Sequence, residues 1–247
     1  MVSGSAPKSF PLPENASERF DLIVFDLDDT LLDTWGQLVR PAAREACVAM
    51  IEAGLDGGLE DVIRVRERLF RDDPRGDLYG RLARHFGIRD ANRHRAETVS
   101  RAGSRAYFDR EVEPHIRPFE GVVALLTECH RRFELHLVTS GTPSTQRRKV
   151  EILEFEAFFQ EIHFVNSPEG ETKRDRLAAI LERSAVRPER AFCVGDRPDR
   201  EIRDGNQLGM TTCRVHYGEF QHLTPLHPLE HADHVVDHVC EIRPILE

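Results

Sequence analysis

Four acids fall within eight positions in the stretch FDLDDTLLDT: Asp26, Asp28, Asp29 and Asp33. They follow directly on an apolar run, Leu22-Ile23-Val24-Phe25. A second acidic group, Asp196, Asp199 and Glu201, follows another apolar run in FCVGDRPDRE. Between them, LVTSG ends in Thr139, Ser140 and Gly141, small residues that let a backbone approach a ligand. Carboxylates gathered in one place repel. Two unit charges 4 Å apart oppose each other by about 4 kcal/mol at an effective dielectric near 20. A cluster of three therefore takes up a proton or a cation. A hard divalent ion with oxygen ligands resolves the repulsion, and Mg²⁺ typically uses one or two carboxylates and leaves places for water and phosphate. The chemistry these residues could support is phosphoryl transfer.

The elements that must position them are legible in the periodicity. DLIVFD is a short apolar run with β-branched members and reads as a buried strand. From about Asp33 to His115 the apolar spacing is three and four, which predicts helices with no strand among them. Prolines in PHIRPFEGV mark a boundary. After it, helical patterns alternate with strands at ELHLVTSG, EIHFVN, RAFCVGD, MTTCRVH and ADHVVD. Strand and helix in alternation imply an α/β fold with a parallel sheet. Ligands in such sheets bind beyond the carboxyl ends of the strands. If the strands are parallel and adjacent, Asp26, Asp28 and Asp196 converge on one rim.

FDLDDTLLDT, LVTSG, a following lysine and VGDRPDREI, in that order, resemble the motifs of the haloacid dehalogenase-like superfamily of phosphatases and phosphotransferases. The resemblance spans roughly residues 20–240. It implies a Rossmann-like parallel sheet with helices on both faces and an inserted all-helical cap. The core would be residues 20–33 and 116–247, the cap 34–115, and residues 1–19 a flexible tail. Asp26 matches the nucleophile that forms an aspartyl-phosphate, and Asp28 the general acid/base. The hydroxyl of Thr139 would hold the phosphoryl group together with the backbone N–H groups of Leu27 and Ser140. Lys173, at a helix start, matches the lysine that neutralises it. Lys149 is the rival lysine, inside a helical pattern. The Mg²⁺ ligands would be Asp26, Asp196 and Asp28, the last through its carbonyl. Glu201 stands where a second acid, usually Asp, would be. Asp29 and Asp33 read as turn residues, and Asp199 as either a neighbour of the metal or a helix-start acid.

The implied activity is Mg²⁺-dependent hydrolysis of a small phosphorylated metabolite. The alternatives within the superfamily are a sugar-phosphate mutase or phosphotransferase and a haloacid dehalogenase. Dehalogenases lack the second acid, which this chain has in Asp28. Substrate choice would lie in the cap. Residues 60–110 carry 13 Arg and no Lys against 9 acids, a net of +4, whereas the whole chain carries −9. This suits either a pair of solvated amphipathic helices, since acids are interleaved with the Arg, or an anionic ligand approaching from that side, with Arg40, Arg64 and Arg81 as candidates. Overall acidity and the lack of an aromatic stacking pattern argue against a nucleic-acid partner. No apolar run approaches the length needed to span a bilayer. The five cysteines are scattered without C-x-x-C spacing and no secretory signal is evident, so a reducing, cytoplasmic setting is expected. His231, His234 and His238 lie near prolines and a strand-like end, which does not suit helical ligand spacing. Nothing in the sequence fixes an oligomeric state.

Overall fold

A computed structural model describes residues 19–247 apart from 75, 91–94, 111, 113–114 and 167–168. All but Arg19 of the expected tail lies outside the described residues. The strands are β1 (Leu22–Phe25), β2 (Glu134–Ser140), β3 (Glu161–Val165), β4 (Ala191–Gly195), β5 (Thr211–Val215) and β6 (His234–Val236). They form one sheet in the order β3-β2-β1-β4-β5-β6, with every neighbouring pair parallel. β1 is central. Phe25 stands opposite Leu137 of β2 and Val194 of β4. The strand order reverses between β1 and β4, the place where α/β sheets open a crevice at their carboxyl ends.

Period-two alternation explains why β1 is apolar throughout. Ile23 and Phe25 pack against α5 (Val122–His130) and α6 (Pro143–Leu153), through Leu125, Leu126 and Val150. Leu22 and Val24 pack on the other face against Leu177 and Ile180 of α7 (Lys173–Ser184). A strand buried on both faces cannot alternate with polar residues, so its sequence reads as a continuous apolar run. The last helix, α8 (Arg203–Leu208), follows one turn of π-helix at Pro198–Ile202. That turn occupies the first half of the helix anticipated from DREIRDGNQLG.

Between β1 and α5 the chain builds α1 (Arg40–Glu52), α2 (Leu59–Asp72), α3 (Leu78–Phe86) and α4 (Ala96–Phe108). Their apolar faces share a cluster of their own, with Cys47, Met50, Leu55, Val62, Leu82 and Val99 fully buried. Cys47, Cys129, Cys193 and Cys213 are buried free thiols, and Cys240 is half-buried. Among the described residues, no helix is long and apolar enough to cross a membrane.

Candidate active site

Asp26 continues β1 by one residue, its N–H donating to Val194 O of β4 at 2.9 Å. Its side chain thus emerges at the reversal point of the sheet. Asp196 follows directly on β4, and Glu201 reaches back from the π-helical turn. Single carboxylate oxygens of Asp26, Asp196 and Glu201 lie within 4.8 Å of one another, and all three residues are buried. Close approach here depends on Gly195: a Cβ at that position would stand 2.7 Å from Cβ and Cγ of Glu201.

Among the described residues, Lys173 is the cation whose side chain bonds the carboxylates of this cluster. Lys173, the first residue of α7, is placed by Thr172, whose hydroxyl accepts the N–H of Asp175 and caps the helix. The Lys173 ammonium lies 2.6 Å from Asp26 Oδ1 and also bonds Glu201. One ammonium does not balance three buried carboxylates. Burial, with the charges of Glu201 and Asp28, pushes the Asp26 carboxyl up to about 7 against the pull of Lys173. Burial and the charges of Glu201 and Asp26 push Asp196 well above the usual carboxylate range. Lys173 itself is shifted upward, the attraction of Asp26 and Glu201 outweighing its burial. Buried oxygen donors with surplus negative charge fit a hard divalent cation such as Mg²⁺. Asp26, Asp196 and Glu201 are the side chains that could hold it.

Asp28 faces elsewhere. Its Oδ1 receives the Lys149 ammonium at 2.6 Å and the Thr34 hydroxyl at 2.5 Å. Its Oδ2 receives Gln146 Nε2 at 2.7 Å. Burial would raise the Asp28 carboxyl, but Lys149 and these hydrogen bonds prevail and hold it below its ordinary range. Gln146 and Lys149 are i and i+3 on α6, and so share one helix face. Gln146 also donates to the hydroxyl of Thr139, which is fully buried. The two lysines therefore hold different acids, Lys173 on Asp26 and Lys149 on Asp28.

The remaining acids of the first motif are structural ties. Asp29 has φ +54°, in the left-handed region that Asp tolerates better than most residues. It is buried and accepts the N–H of Trp35 at 2.7 Å and of Glu219 at 3.1 Å. Burial pushes it up to about 6 in spite of those donors. The approach of the Glu219 loop requires Gly218, with φ +82°, since a Cβ there would meet Asp29 Oδ2 at 2.1 Å. Asp33 accepts the Tyr217 hydroxyl at 2.9 Å. Asp199 forms a two-pronged pair with Arg197, at 3.0 and 2.8 Å, and stays out of the carboxylate cluster.

These groups line a cleft of ≈170 Å³ containing Asp26, Asp28, Ser140, Lys173, Asp196 and Glu201. A wider cavity of ≈780 Å³ shares Ser140 and Lys173 with it. Of the arginines singled out by composition, Arg64 is exposed and pairs with Asp61 at 2.8 Å. Arg81 bonds Leu69 O at 3.1 Å. Arg40 lines a cavity beside Trp35 and Arg66. Gln146, Thr34 and Arg66 escaped sequence reasoning. The available signal was a polar or charged residue repeated on a buried helix face: Gln146 with Lys149, and Arg66 between Val62 and Phe70.

A pH-dependent response to metal follows from the raised carboxyls. An Asp titrating at about 7 in the fold and near 3.8 when unfolded keeps its proton in the native state through that window. The native state then binds more protons than the unfolded one, so the metal-free protein loses stability as pH rises from about 4 to 7. A divalent cation offsets this loss. The gain in Tm on exchanging EDTA for Mg²⁺ is expected to be small at pH 5 and to reach several degrees at pH 8. Equal gains at the two pH values would remove the carboxylate cluster as the metal site.

A family model for haloacid dehalogenase-like hydrolases matches residues 20–209. The glyceraldehyde 3-phosphate phosphatase of Methanopyrus kandleri is 31% identical over 233 residues, covering 91% of this chain and 96% of that protein. The enzyme of the same description from Methanocaldococcus jannaschii is 27% identical, over 91% of this chain and 96% of its own length. Among solved structures, the HAD-hydrolase YfnB of Bacillus subtilis, described as bound to magnesium, superposes with a TM-score of 0.64. It is 18% identical and the match covers 93% of this chain and 99% of that one.

Proposed function

This chain belongs to the haloacid dehalogenase-like hydrolases, and on that premise we propose that it is a Mg²⁺-dependent phosphatase acting on a small phosphorylated metabolite of the glyceraldehyde 3-phosphate class through an aspartyl-phosphate. The observation that carries this reading is the position of Asp26. It lies at the reversal point of the sheet, against Lys173 and among Asp196 and Glu201. The relatives named as phosphatases of glyceraldehyde 3-phosphate support the substrate class.

Bound Mg²⁺ would neutralise phosphoryl oxygens and offset the repulsion between a phosphate dianion and a carboxylate nucleophile. Asp26, Asp196 and Glu201 would hold it by their side chains, and Asp28 by its carbonyl. The Asp26 carboxylate attacks phosphorus and the ester oxygen departs, leaving the phosphoryl group on Asp26. Asp28 gives a proton to the leaving oxygen. It then takes one from the water that attacks the same phosphorus, restoring Asp26 and releasing inorganic phosphate. Thr34, Gln146 and Lys149 fix the orientation of Asp28. Lys149 favours its ionised form, which suits the step that takes a proton from water and works against the step that gives one to the leaving oxygen. Lys173, the Thr139 hydroxyl and the N–H groups of Leu27 and Ser140 hold the transferred phosphoryl group. Helices α1–α4, within residues 34–115, act as the cap that covers the cleft and excludes bulk water.

The test is phosphate release from glyceraldehyde 3-phosphate and from p-nitrophenyl phosphate, in Mg²⁺ and in EDTA. Turnover is expected only with Mg²⁺. Protein quenched in acid during turnover is expected to carry phosphate that hydroxylamine releases, as an acyl phosphate does. Full activity in EDTA, or labelled phosphate stable to hydroxylamine, would refute the mechanism.

A further inference from the structure

The cap carries a charge that the mechanism above does not use. Arg66, on α2, is 1% exposed, the bulkiest of the fully buried side chains. Its guanidinium lies 5.6 Å from the Phe70 ring centroid and 5.4 Å from that of Tyr107. Among the described residues, its Nε and Nη1 have no hydrogen-bond partner. Among the described residues, no carboxylate lies within ion-pair distance of it, although its charge draws the Glu219 carboxyl down against burial. Buried guanidinium groups are ordinarily paired or fully hydrogen-bonded, because an unmatched buried charge is among the most unfavourable features a fold can hold. Two more orphaned polar atoms lie in the same region. Among the described residues, the Tyr79 hydroxyl, its ring 6.1 Å from that of Tyr107, has no partner in good hydrogen-bond geometry, and neither does Glu219 Oε1.

These groups border a route to the reacting centre. Arg66, Phe70, Trp35 and Glu219 line a cavity of ≈200 Å³. Glu219 also lines the cleft that holds Asp26, Asp28 and Lys173. One carboxylate thus stands on the wall between the cap cavity and the acids, and its backbone N–H is tied to Asp29. Phe70 of α2 meets Phe220 of the same loop at 6.0 Å between centroids, which docks the cap helix on the core at this point.

We infer that Arg66 and Glu219 form the subsite for the leaving group of the phosphate ester, and that they take a short carbon chain bearing neutral oxygens, hydroxyl or carbonyl, in preference to a second anion. Nε and Nη1 of the guanidinium find no acceptor among the described residues, so an oxygen atom is what they need. A phosphate or carboxylate would satisfy them, but it would lie beside the Glu219 carboxylate. A hydroxyl suits both, accepting from Arg66 and donating to Glu219. A carbonyl satisfies Arg66 without opposing Glu219. Phe70 and Trp35 supply apolar walls for the carbon chain. The sequence hint of an anionic ligand for the arginine-rich segment is thereby narrowed: the anion is the phosphate at the acidic cluster, and Arg66 reads the uncharged end.

This inference rests on the phosphatase reading, and the experiment separates the two. The full-length protein with Mg²⁺ is assayed for kcat/KM on glycerol 1-phosphate and glyceraldehyde 3-phosphate, on phosphoglycolate and 3-phosphoglycerate, and on p-nitrophenyl phosphate. The wild type is expected to favour the neutral-tailed esters over the anionic-tailed ones by at least roughly tenfold. In Arg66→Met the ratio of glycerol 1-phosphate to p-nitrophenyl phosphate is expected to fall by about tenfold or more, chiefly through KM, and Arg66→Lys recovers part of it. In Glu219→Gln the ratio of anionic-tailed to neutral-tailed esters rises several-fold. Unchanged ratios in both Arg66→Met and Glu219→Gln would make the guanidinium a packing element of the cap, with water on its free nitrogens, and overturn the subsite. If Arg66→Met does not fold, the Glu219→Gln ratio decides alone, and no change in it is equally fatal. A wild type that hydrolyses none of the esters, p-nitrophenyl phosphate included, fails the phosphatase reading itself and takes the subsite with it. Activity on p-nitrophenyl phosphate with unaltered ratios fails the subsite only.

Discussion

Asp26→Asn is expected to lower phosphate release by roughly 10⁴-fold or more, because an amide neither attacks phosphorus nor leaves as a carboxylate. The same substitution is expected to raise Tm in EDTA at pH 8. In the wild type, ionising Asp26 works against burial and against the charges of Glu201 and Asp28, which push its carboxyl up to about 7. The amide has the same shape and removes that charge. Lys173 then retains Glu201 as its partner. Loss of activity coupled to gain of metal-free stability distinguishes a strained nucleophile from a structural acid, whose removal would lower both. A variant retaining more than about a tenth of wild-type turnover would remove Asp26 as the nucleophile. The Mg²⁺-dependent gain in Tm should shrink in the same protein, since one ligand and one charge are gone.

Lys173→Met has the opposite signature. Both stability and activity fall. The ammonium is the only protein cation bonded to Asp26 and Glu201 among the described residues, and both acids are buried. Removing one partner of a buried ion pair leaves an uncompensated charge and typically loses about 3–5 kcal/mol. The carboxyls would then titrate still higher, so the destabilisation is larger at pH 8 than at pH 5, and excess Mg²⁺ should restore part of it. Urea unfolding at the two pH values, with and without Mg²⁺, measures this directly. A ΔΔG under about 1 kcal/mol at pH 8 would mean that Lys173 is not needed to balance the cluster. Lys149→Met is the informative companion. It strips the cation from Asp28, which is less buried, and leaves the Asp26–Lys173 contact in place.

Much of this architecture could be read from residue order because local and global signals agree. The inner strands β1 and β4 follow runs whose apolar character reflects burial on two faces, and the acids stand where those runs stop. Asp26 and Asp196 could be paired in advance because parallel neighbours deliver their carboxyl ends to the same edge. What a linear reading could not supply was side-chain direction. Lys149 and Lys173 both follow LVTSG, and nothing in the sequence says that one turns to Asp28 and the other to Asp26. Glu201 differs from the expected aspartate by one methylene. Its reach into the cluster depends on a π-helical turn and on the missing Cβ of Gly195. Arg66 was hidden for a different reason. It lies among many solvated arginines, and only burial separates it from Arg64, two residues away and paired on the surface.

The central position of β1 has a consequence for how the chain assembles. Leu22 pairs with Glu134 on one side and Ala191 on the other. The nearest of these partners is more than a hundred residues away along the chain, with the five helices α1–α5 in between. Contacts of that sequence separation form slowly, because a long loop must close before pairing rewards it. Helices α1–α4 need no such closure, since their apolar cluster is drawn from one continuous segment. Refolding followed by pulsed hydrogen exchange should therefore protect the amides of α1 and α4 before those of Ile23 and Val24. The segment that leads into Asp26 would be the last piece of the sheet to lock, and any activity that depends on Asp26 would return only with that final step.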